Sequence, residues 1–73
     1  MGMAQELVRI KKKNATYVIV RQDSHYVFWR MTDRSGYITK TRIYVALGCS
    51  LKEARKILRG LISGKIEESY SYR

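Results

Sequence analysis

The sequence predicts an α+β domain in which a three-stranded antiparallel sheet packs on one C-terminal helix, in the order β-β-β-α after a short lead-in. Between residues 15 and 47, stretches rich in β-branched and aromatic residues alternate with short polar turns, which is typical of an antiparallel meander. An amphipathic repeat that opens with a capping sequence follows from residue 50. With 73 residues, the chain has room for a single domain of this kind.

We divide the chain into a basic lead-in (1–14), a folded core (15–64) and a tail or short edge strand (65–73). The lead-in contains AQELVRIKKK, which suits either a short helical turn or an entering strand. We expect its basic run to be a flexible arm that adds affinity without specificity. That run consists of Lys11, Lys12 and Lys13.

The turn between the second and third strands sets the faces of the predicted sheet. The sequence Asp33-Arg34-Ser35-Gly36 suits a three-residue hairpin loop with Gly36 in the left-handed conformation. Side chains alternate along a strand, so this register segregates two sets of residues. The outer face carries Tyr26, Phe28, Arg30, Thr32, Lys40, Arg42 and Tyr44. The face that the helix should cover carries Val27, Trp29, Met31, Ile43 and Val45.

The first predicted strand, ATYVIVR, is connected to the second strand by the turn QDSH, which decides the face on which each of its side chains lies. If Asp23-Ser24 is a two-residue turn, then Val18 and Val20 belong to the core face. The outer face then gains Tyr17, Ile19 and Arg21. A shift of one residue in any of these registers would exchange the faces.

The helix has a clear start and a clear end. Ser50 and Glu53 have the spacing of a capping box, and Gly64 suits the C-terminal stop. Apolar residues recur at spacings of three and four, which gives one stripe for the core. That stripe consists of Leu51, Ala54, Ile57, Leu58, Leu61 and Ile62. The opposite side carries Lys52, Arg55, Lys56 and Arg59.

Charge indicates the class of partner. Fifteen Lys and Arg against six Asp and Glu give a formal net charge of +9, which attracts polyanions. Nucleic acid is the commonest such partner, while acidic membranes and acidic proteins are alternatives. The apolar runs are far too short to span a bilayer. Cys49 is the only cysteine, so we expect an intracellular, reducing, cytoplasmic protein without a disulfide, metal or other cofactor.

The outer face is the main candidate for binding. Arg can bridge guanine in the major groove, Lys suits phosphates, and a β-ribbon is narrow enough to enter that groove. The sequence therefore predicts non-catalytic binding of duplex DNA, favoured over RNA, without a membrane or small-molecule partner. The predicted interface consists of Tyr26, Phe28, Arg30, Thr32, Lys40, Arg42, Tyr44, Arg21, Lys11, Lys12, Lys13, Lys52 and Arg55.

Part of the chain resembles a known family. The run YVFWRMTDRSGYITKTRIYVALGCSLKEARKIL resembles the N-terminal arm-binding domain of phage and transposon integrases and the related domain of plant ethylene-response factors. The resemblance implies a three-stranded sheet laid in the DNA major groove. It places Arg30, Lys40, Arg42 and Tyr44 at bases or phosphates. It also suggests an accessory or regulatory protein of a mobile element.

Three alternatives remain open at this stage. GCSLKEARKIL is similar to the start of the second helix in double-stranded RNA-binding domains. ELVRIKKKN and VRQDSHYVF are similar to HicA toxins, small RNases in which His25 would be catalytic, although Asp23 stands where those proteins have Gly. A third class, a basic inhibitor of an acidic protein, has the same charge requirement.

Overall fold

The computed structural model describes residues 4–69, which form four antiparallel strands followed by one helix. The strands are β1 (Gln5–Lys11), β2 (Thr16–Gln22), β3 (His25–Arg34) and β4 (Tyr37–Leu47), and the helix is α1 (Leu51–Ser63). The sheet has the order β1-β2-β3-β4, so each strand pairs with its neighbour in the chain. The α+β outline and the C-terminal helix agree with the sequence. The prediction of three strands is wrong, because the sheet has four.

The additional strand is the basic lead-in. Val8 of β1 pairs with Ile19 of β2, and a bulge at Leu7 shifts the register on the N-terminal side of this pair. The bulge explains why the alternation of apolar and polar residues is interrupted in the sequence. The amide of Lys12 donates to the carbonyl of Ala15 (2.8 Å) and closes the turn to β2. Lys11 ends β1, and Lys12 and Lys13 lie in the turn to β2, so this lysine run is part of the folded domain and the expectation of a flexible arm is wrong.

The turn between β3 and β4 has two residues, not three. Arg34 pairs with Tyr37, and the intervening Ser35 and Gly36 have φ values of 54° and 84°. Positive φ at both central positions is characteristic of a type I′ turn, whose twist matches that of the flanking strands. The carboxylate of Asp33 also accepts a hydrogen bond from the amide of Gly36 (3.0 Å). The predicted register is therefore wrong by one residue beside the turn.

A bulge in β4 shifts the register once more. Trp29 pairs with Arg42, whereas the preceding Phe28 pairs with Tyr44, so Ile43 is the extra residue. Ile43 is fully buried and belongs to the core cluster. The bulge thus lets two consecutive side chains of β4, Ile43 and Tyr44, contribute to the helix-covered side of the sheet.

These two shifts reverse the predicted faces. The core beneath α1 consists of Ile19, Tyr26, Phe28, Ile43, Ala46, Ala54, Leu58 and Leu61. Tyr26 and Phe28, which the sequence placed outside, are buried there at 7% and 0% exposure. Trp29 lies on the opposite side, beside Arg42. A one-residue slip between strands moves a whole set of side chains to the other face. Lys40 and Arg42 of β4 therefore lie on the same face as Trp29, and the helix covers the opposite face.

The β2–β3 turn has two residues, which the sequence allowed as one option. Gln22 pairs with His25, which leaves Asp23 and Ser24 as the two-residue turn, with Asp23 at φ 57°. Val18 therefore pairs with Trp29, but both lie on the side away from the helix, so the expectation that they belong to the helix-covered core face is wrong. Tyr17, Ile19 and Arg21, which were expected on the outer face, lie on the helix-covered side.

The helix begins and ends where the sequence predicts. The Ser50 hydroxyl accepts a hydrogen bond from the amide of Glu53 (3.1 Å), and the Glu53 carboxylate accepts one from the amide of Ser50 (2.9 Å). Gly64 follows the helix in the left-handed conformation at φ 85°. Ala54, Leu58 and Leu61 are the buried residues of the stripe. The capping box and the C-terminal stop are confirmed.

The chain after the helix folds back on the domain. The amide of Ile66 donates to the carbonyl of Gly60 (3.0 Å), and the amide of Ser69 donates to the carbonyl of Ile43 (2.7 Å). The carboxylate of Glu68 forms an ion pair with Arg30. Residues 65–69 are thus held against the helix and β4, while Tyr70 and Tyr72 of the expected edge strand lie outside the described residues.

The reversed faces predict different costs for neighbouring truncations. Phe28→Ala should lower the free energy of unfolding by about 3–5 kcal/mol, because it leaves a cavity in the core. Trp29→Ala should cost clearly less, because its ring is only half-buried on the other face. Urea denaturation followed by circular dichroism measures both. An equal or larger loss for Trp29→Ala would contradict the assignment of the faces.

The close packing of Ile66 on Gly60 predicts that a larger residue at position 60 destabilises the protein. A Cβ at this position would lie 2.5 Å from Cδ1 and 2.7 Å from Cγ1 of Ile66. Gly60→Ala should therefore destabilise the protein, although Ala is favoured over Gly in a helix by about 1 kcal/mol. In an Ile66→Ala background the same substitution should be stabilising. A double-mutant cycle of thermal unfolding tests this, and additive effects would rule out the contact.

Candidate nucleic-acid interface

The side of the sheet turned away from α1, here called the open face, carries two rows of cross-strand partners that have a cation at each end. One row consists of Arg9, Val18, Trp29 and Arg42, and the other of Lys11, Thr16, Met31 and Lys40. In both rows the cations stand on the edge strands β1 and β4. The two central strands contribute only neutral side chains. Each row is therefore uncharged in the middle and positive at both ends.

The width of the sheet sets the distance between the two lines of cations. Neighbouring strands lie about 4.8 Å apart, so the three intervals from β1 to β4 separate their backbones by about 14 Å. Arg and Lys side chains are long and can adjust their charged ends around this value. The open face thus presents two parallel lines of positive charge with a flat neutral strip between them.

Trp29 lies in the centre of this face and is half-buried. The ammonium of Lys40 stands 4.4 Å from the centre of the Trp29 ring, which is a favourable cation–π distance. Val18 and Val27 are both buried, although they belong to this face and not to the core cluster. A shallow cleft beside the ring is lined by Trp29, Lys40, Thr41 and Arg42.

At one end the open face continues into a basic groove. This groove has a volume of about 370 Å³ and lies between the β1–β2 turn and the base of the β3–β4 hairpin. The turn supplies Lys11, Lys12 and Lys13 to its wall, while the hairpin supplies Thr32, Asp33 and Ile38. Arg9 also lines the groove and connects it with the cationic rows. Cations outnumber the one carboxylate in this lining.

The tip of the β3–β4 hairpin projects beyond the rest of the sheet. Thr16 at the start of β2 pairs with Met31, so the residues of β3 after Met31 have no partner in β2. The projecting part is a two-stranded ribbon that ends in the type I′ turn. Tyr37 and Ile38 on this ribbon are 75% and 66% exposed. Because successive side chains of a strand point to opposite faces, Tyr37 and Ile38 lie on opposite sides of the ribbon.

The third row of the open face carries no cation. It consists of Glu6, Val20, Val27 and Val45. The Glu6 carboxylate accepts two hydrogen bonds from the guanidinium of Arg9, at 2.8 and 2.9 Å. These hydrogen bonds, helped by the charges of Arg9 and Lys40, hold the pKa of Glu6 below its usual value. Glu6 therefore competes with any anionic ligand for Arg9.

The structure separates the predicted interface into several regions. Lys40, Arg42 and the Lys11–Lys13 run lie on or beside the open face, and Thr32 lines the basic groove. Tyr44 packs edge-to-face on Phe28 with ring centres 5.7 Å apart, beneath the helix. Arg30 is ion-paired with the tail.

Three further predicted cations lie away from the open face. Arg21 belongs to the helix side of the sheet, where its guanidinium lies 6.0 Å from the Tyr26 ring. Lys52 and Arg55 are exposed on α1. Since α1 covers the other side of the sheet, a straight ligand lying on the open face does not reach these helix cations.

Five residues of the two cationic rows were missed, namely Arg9, Thr16, Val18, Trp29 and Met31. Arg9 was overlooked because the lead-in was not assigned to the sheet, and Trp29 because the register placed it in the core. The strict alternation Val8-Arg9-Ile10-Lys11 could have indicated a strand with both cations on one face.

The other candidate chemical groups remain isolated. His25 starts β3 and is half-buried, and Cys49 is half-buried before the helix cap. Within residues 4–69, no group of three or more His, Cys, Asp or Glu residues is arranged to hold a metal ion. Over the same range, no helix combines the length and apolar character needed to cross a bilayer. Comparisons with known protein families, curated proteins and solved structures found no match.

The Glu6–Arg9 pair predicts a specific titration. Because the folded-state pKa of Glu6 is lowered, the pair is fully formed at neutral pH and is lost as the pH falls through that pKa. Arg9→Ala should raise the pKa of Glu6 toward its usual value. NMR titration of the side-chain carboxyl carbon measures it, with Lys52→Ala as a control that leaves the pKa unchanged. An unaltered pKa in Arg9→Ala would show that the hydrogen bonds do not form in solution.

Proposed function

We propose that this protein binds duplex DNA, without catalysis, through the open face and the adjoining β3–β4 hairpin. The observation that carries the proposal is the pair of cationic rows: Arg9 with Arg42, and Lys11 with Lys40, at opposite edges of a neutral strip. Affinity for DNA comes largely from cations that neutralise phosphates, and these edge residues are suited to that role. The net charge of +9 supports the same class of partner.

The dimensions favour the major groove. That groove is about 12 Å wide and admits a β-ribbon, while the lines of cations on the sheet are about 14 Å apart. A sheet laid over the groove would place the cations of β1 and β4 near the two phosphate backbones. The projecting hairpin, as a two-stranded ribbon, is the part narrow enough to enter the groove most deeply.

The central strip would face the bases. Among the partly exposed central residues of the two cationic rows, Thr16 offers a hydroxyl group, while Trp29 and Met31 offer mainly apolar contact. Apolar side chains can contact the methyl group of thymine but read few other features of a base pair. We therefore expect binding that is strongly dependent on salt and modest in its sequence preference.

A second candidate is binding of RNA or single-stranded nucleic acid, and the half-exposed ring of Trp29 favours it. Aromatic rings on sheets can stack on unpaired bases. Duplex RNA is the less suitable ligand, because the major groove of an A-form helix is too narrow and deep for a sheet. Competition among duplex DNA, duplex RNA and single-stranded DNA of one sequence ranks these ligands. A preference for either alternative would replace the duplex-DNA proposal.

The proposal fits the rest of the sequence-based hypothesis. DNA binding implies an intracellular, reducing compartment, which the single Cys49 also suits. The resemblance to integrase arm-binding domains and a role with mobile elements stay predictions. Arg30 and Tyr44, which the sequence placed at bases or phosphates, are left out of the proposed DNA interface, because their contacts lie on the helix side of the sheet.

Arg42→Ala tests the interface against a matched control. If Arg42 contacts a phosphate, its removal should weaken binding to all duplex sequences and reduce the slope of log Kobs against log salt by about 0.9. Arg55→Ala removes the same charge from the exposed side of α1 and should change the slope much less. Fluorescence anisotropy with a labelled duplex across a salt series measures both variants. Equal effects would mean that the open face is not the specific contact surface.

A further inference from the structure

A second basic groove lies between the C-terminal half of α1, the end of β1 and the returning tail, and it shares Lys12 with the first groove. Its volume is about 800 Å³. Ile10, Ile62 and Ile66 line it, and all three are only partly buried. Gly60 also lines the groove and lets the tail pack closely on the helix. The groove therefore offers a partly exposed aliphatic surface inside a concave site.

The charged residues of this groove all have the same sign. Among residues 4–69, its charged lining residues are Lys12, Lys56, Arg59 and Lys65, and no carboxylate of this range lines it. All four side chains belong to exposed residues. An aliphatic floor with a rim of one sign matches a ligand that carries apolar groups and negative charges together. A nucleic acid supplies the charges but has no aliphatic side chains for the floor.

The neighbouring strand can supply backbone hydrogen bonds. β1 is an edge strand, and among residues 4–69 it pairs with β2 alone. Its outer N–H and C=O groups are therefore available to an added strand. Many peptide-binding domains combine such an edge with pockets for alternate side chains of an extended peptide. Here Ile10 of β1 is itself part of the groove lining.

We propose that this groove binds an extended acidic peptide segment of a protein partner, in which aliphatic residues alternate with Glu or Asp. The aliphatic side chains would lie on the isoleucine floor, and the carboxylates would meet Lys56, Arg59 and Lys65. The volume is within the range of about 300–1,000 Å³ typical of ligand sites. A membrane surface is a poorer match, because a flat lipid layer does not fill a concave groove. The inference is independent of DNA binding.

The test uses the whole chain and a nine-residue peptide with fluorescein on its N-terminal amine, fluorescein-EELEIELEE-amide. Two matched peptides separate the contributions: in one each aliphatic residue is replaced by Ser, and in the other each Glu is replaced by Lys. We expect saturable binding of the first peptide and at least about tenfold weaker binding of the other two. Equal binding of the Ser-substituted peptide would reduce the interaction to nonspecific charge attraction and overturn the proposal.

Variants then locate the binding site. Arg59→Glu should weaken peptide binding by about tenfold or more, since it replaces an attraction with a repulsion. Lys52→Glu makes the same change of charge on α1 outside the groove and should alter the affinity by less than about twofold. Its position in the first turn favours an acidic residue, so the control should fold. Equal weakening by the two variants would overturn the site.

Two readouts distinguish other occupants. Amide chemical-shift changes should concentrate in residues 5–12 and 59–66, and changes confined to the open face would overturn the proposal. Vesicles of phosphatidylcholine with phosphatidylserine provide the lipid comparison. Vesicle binding that depends on Arg59 in the absence of peptide binding would assign the groove to a lipid surface instead.

Discussion

The pairing register between β3 and β4 decides which side chains face α1 and which face solvent. The two-residue turn at Ser35-Gly36 starts the pairing, and the bulge at Ile43 moves it by one more residue before the helix. Between these two features Lys40 and Arg42 share a face with Met31 and Trp29. Beyond the bulge, Phe28, Ile43 and Tyr44 face α1 together. One strand thus supplies cations to one face and core residues to the other.

Local chemistry made part of the fold predictable. The capping box at Ser50, the stop at Gly64 and the two-residue turn at Asp23-Ser24 depend on residues close together in sequence. The first two were predicted correctly, and the turn was considered as one option. The number of strands was predicted wrongly, because the bulge at Leu7 interrupts the alternation of side chains that marks a strand. The approach of Ile66 to Gly60 is likewise tertiary and leaves no local signature.

The candidate site was harder to predict than the fold because it depends on register. Net charge indicated a polyanionic partner without reference to any register, and Lys40 and Arg42 were correctly placed together on one face. Their neighbours were wrong, since a one-residue slip exchanges Phe28 for Trp29. A type I′ hairpin has a loop of two residues and a bulged hairpin has a loop of three, and the sequence Ser35-Gly36 is compatible with both. The two basic surfaces, one flat and one concave, follow only once the helix is placed.

The fluorescence of Trp29 reports directly on DNA bound to the open face, because this is the only tryptophan of the chain and lies in the middle of that face. We expect saturating duplex DNA to change its emission and to reduce its quenching by acrylamide, as the ring becomes covered. Anisotropy of a labelled duplex, recorded in the same titration, establishes that the complex has formed. Complex formation with unchanged emission and unchanged quenching of Trp29 would show that DNA binds elsewhere and would contradict the account.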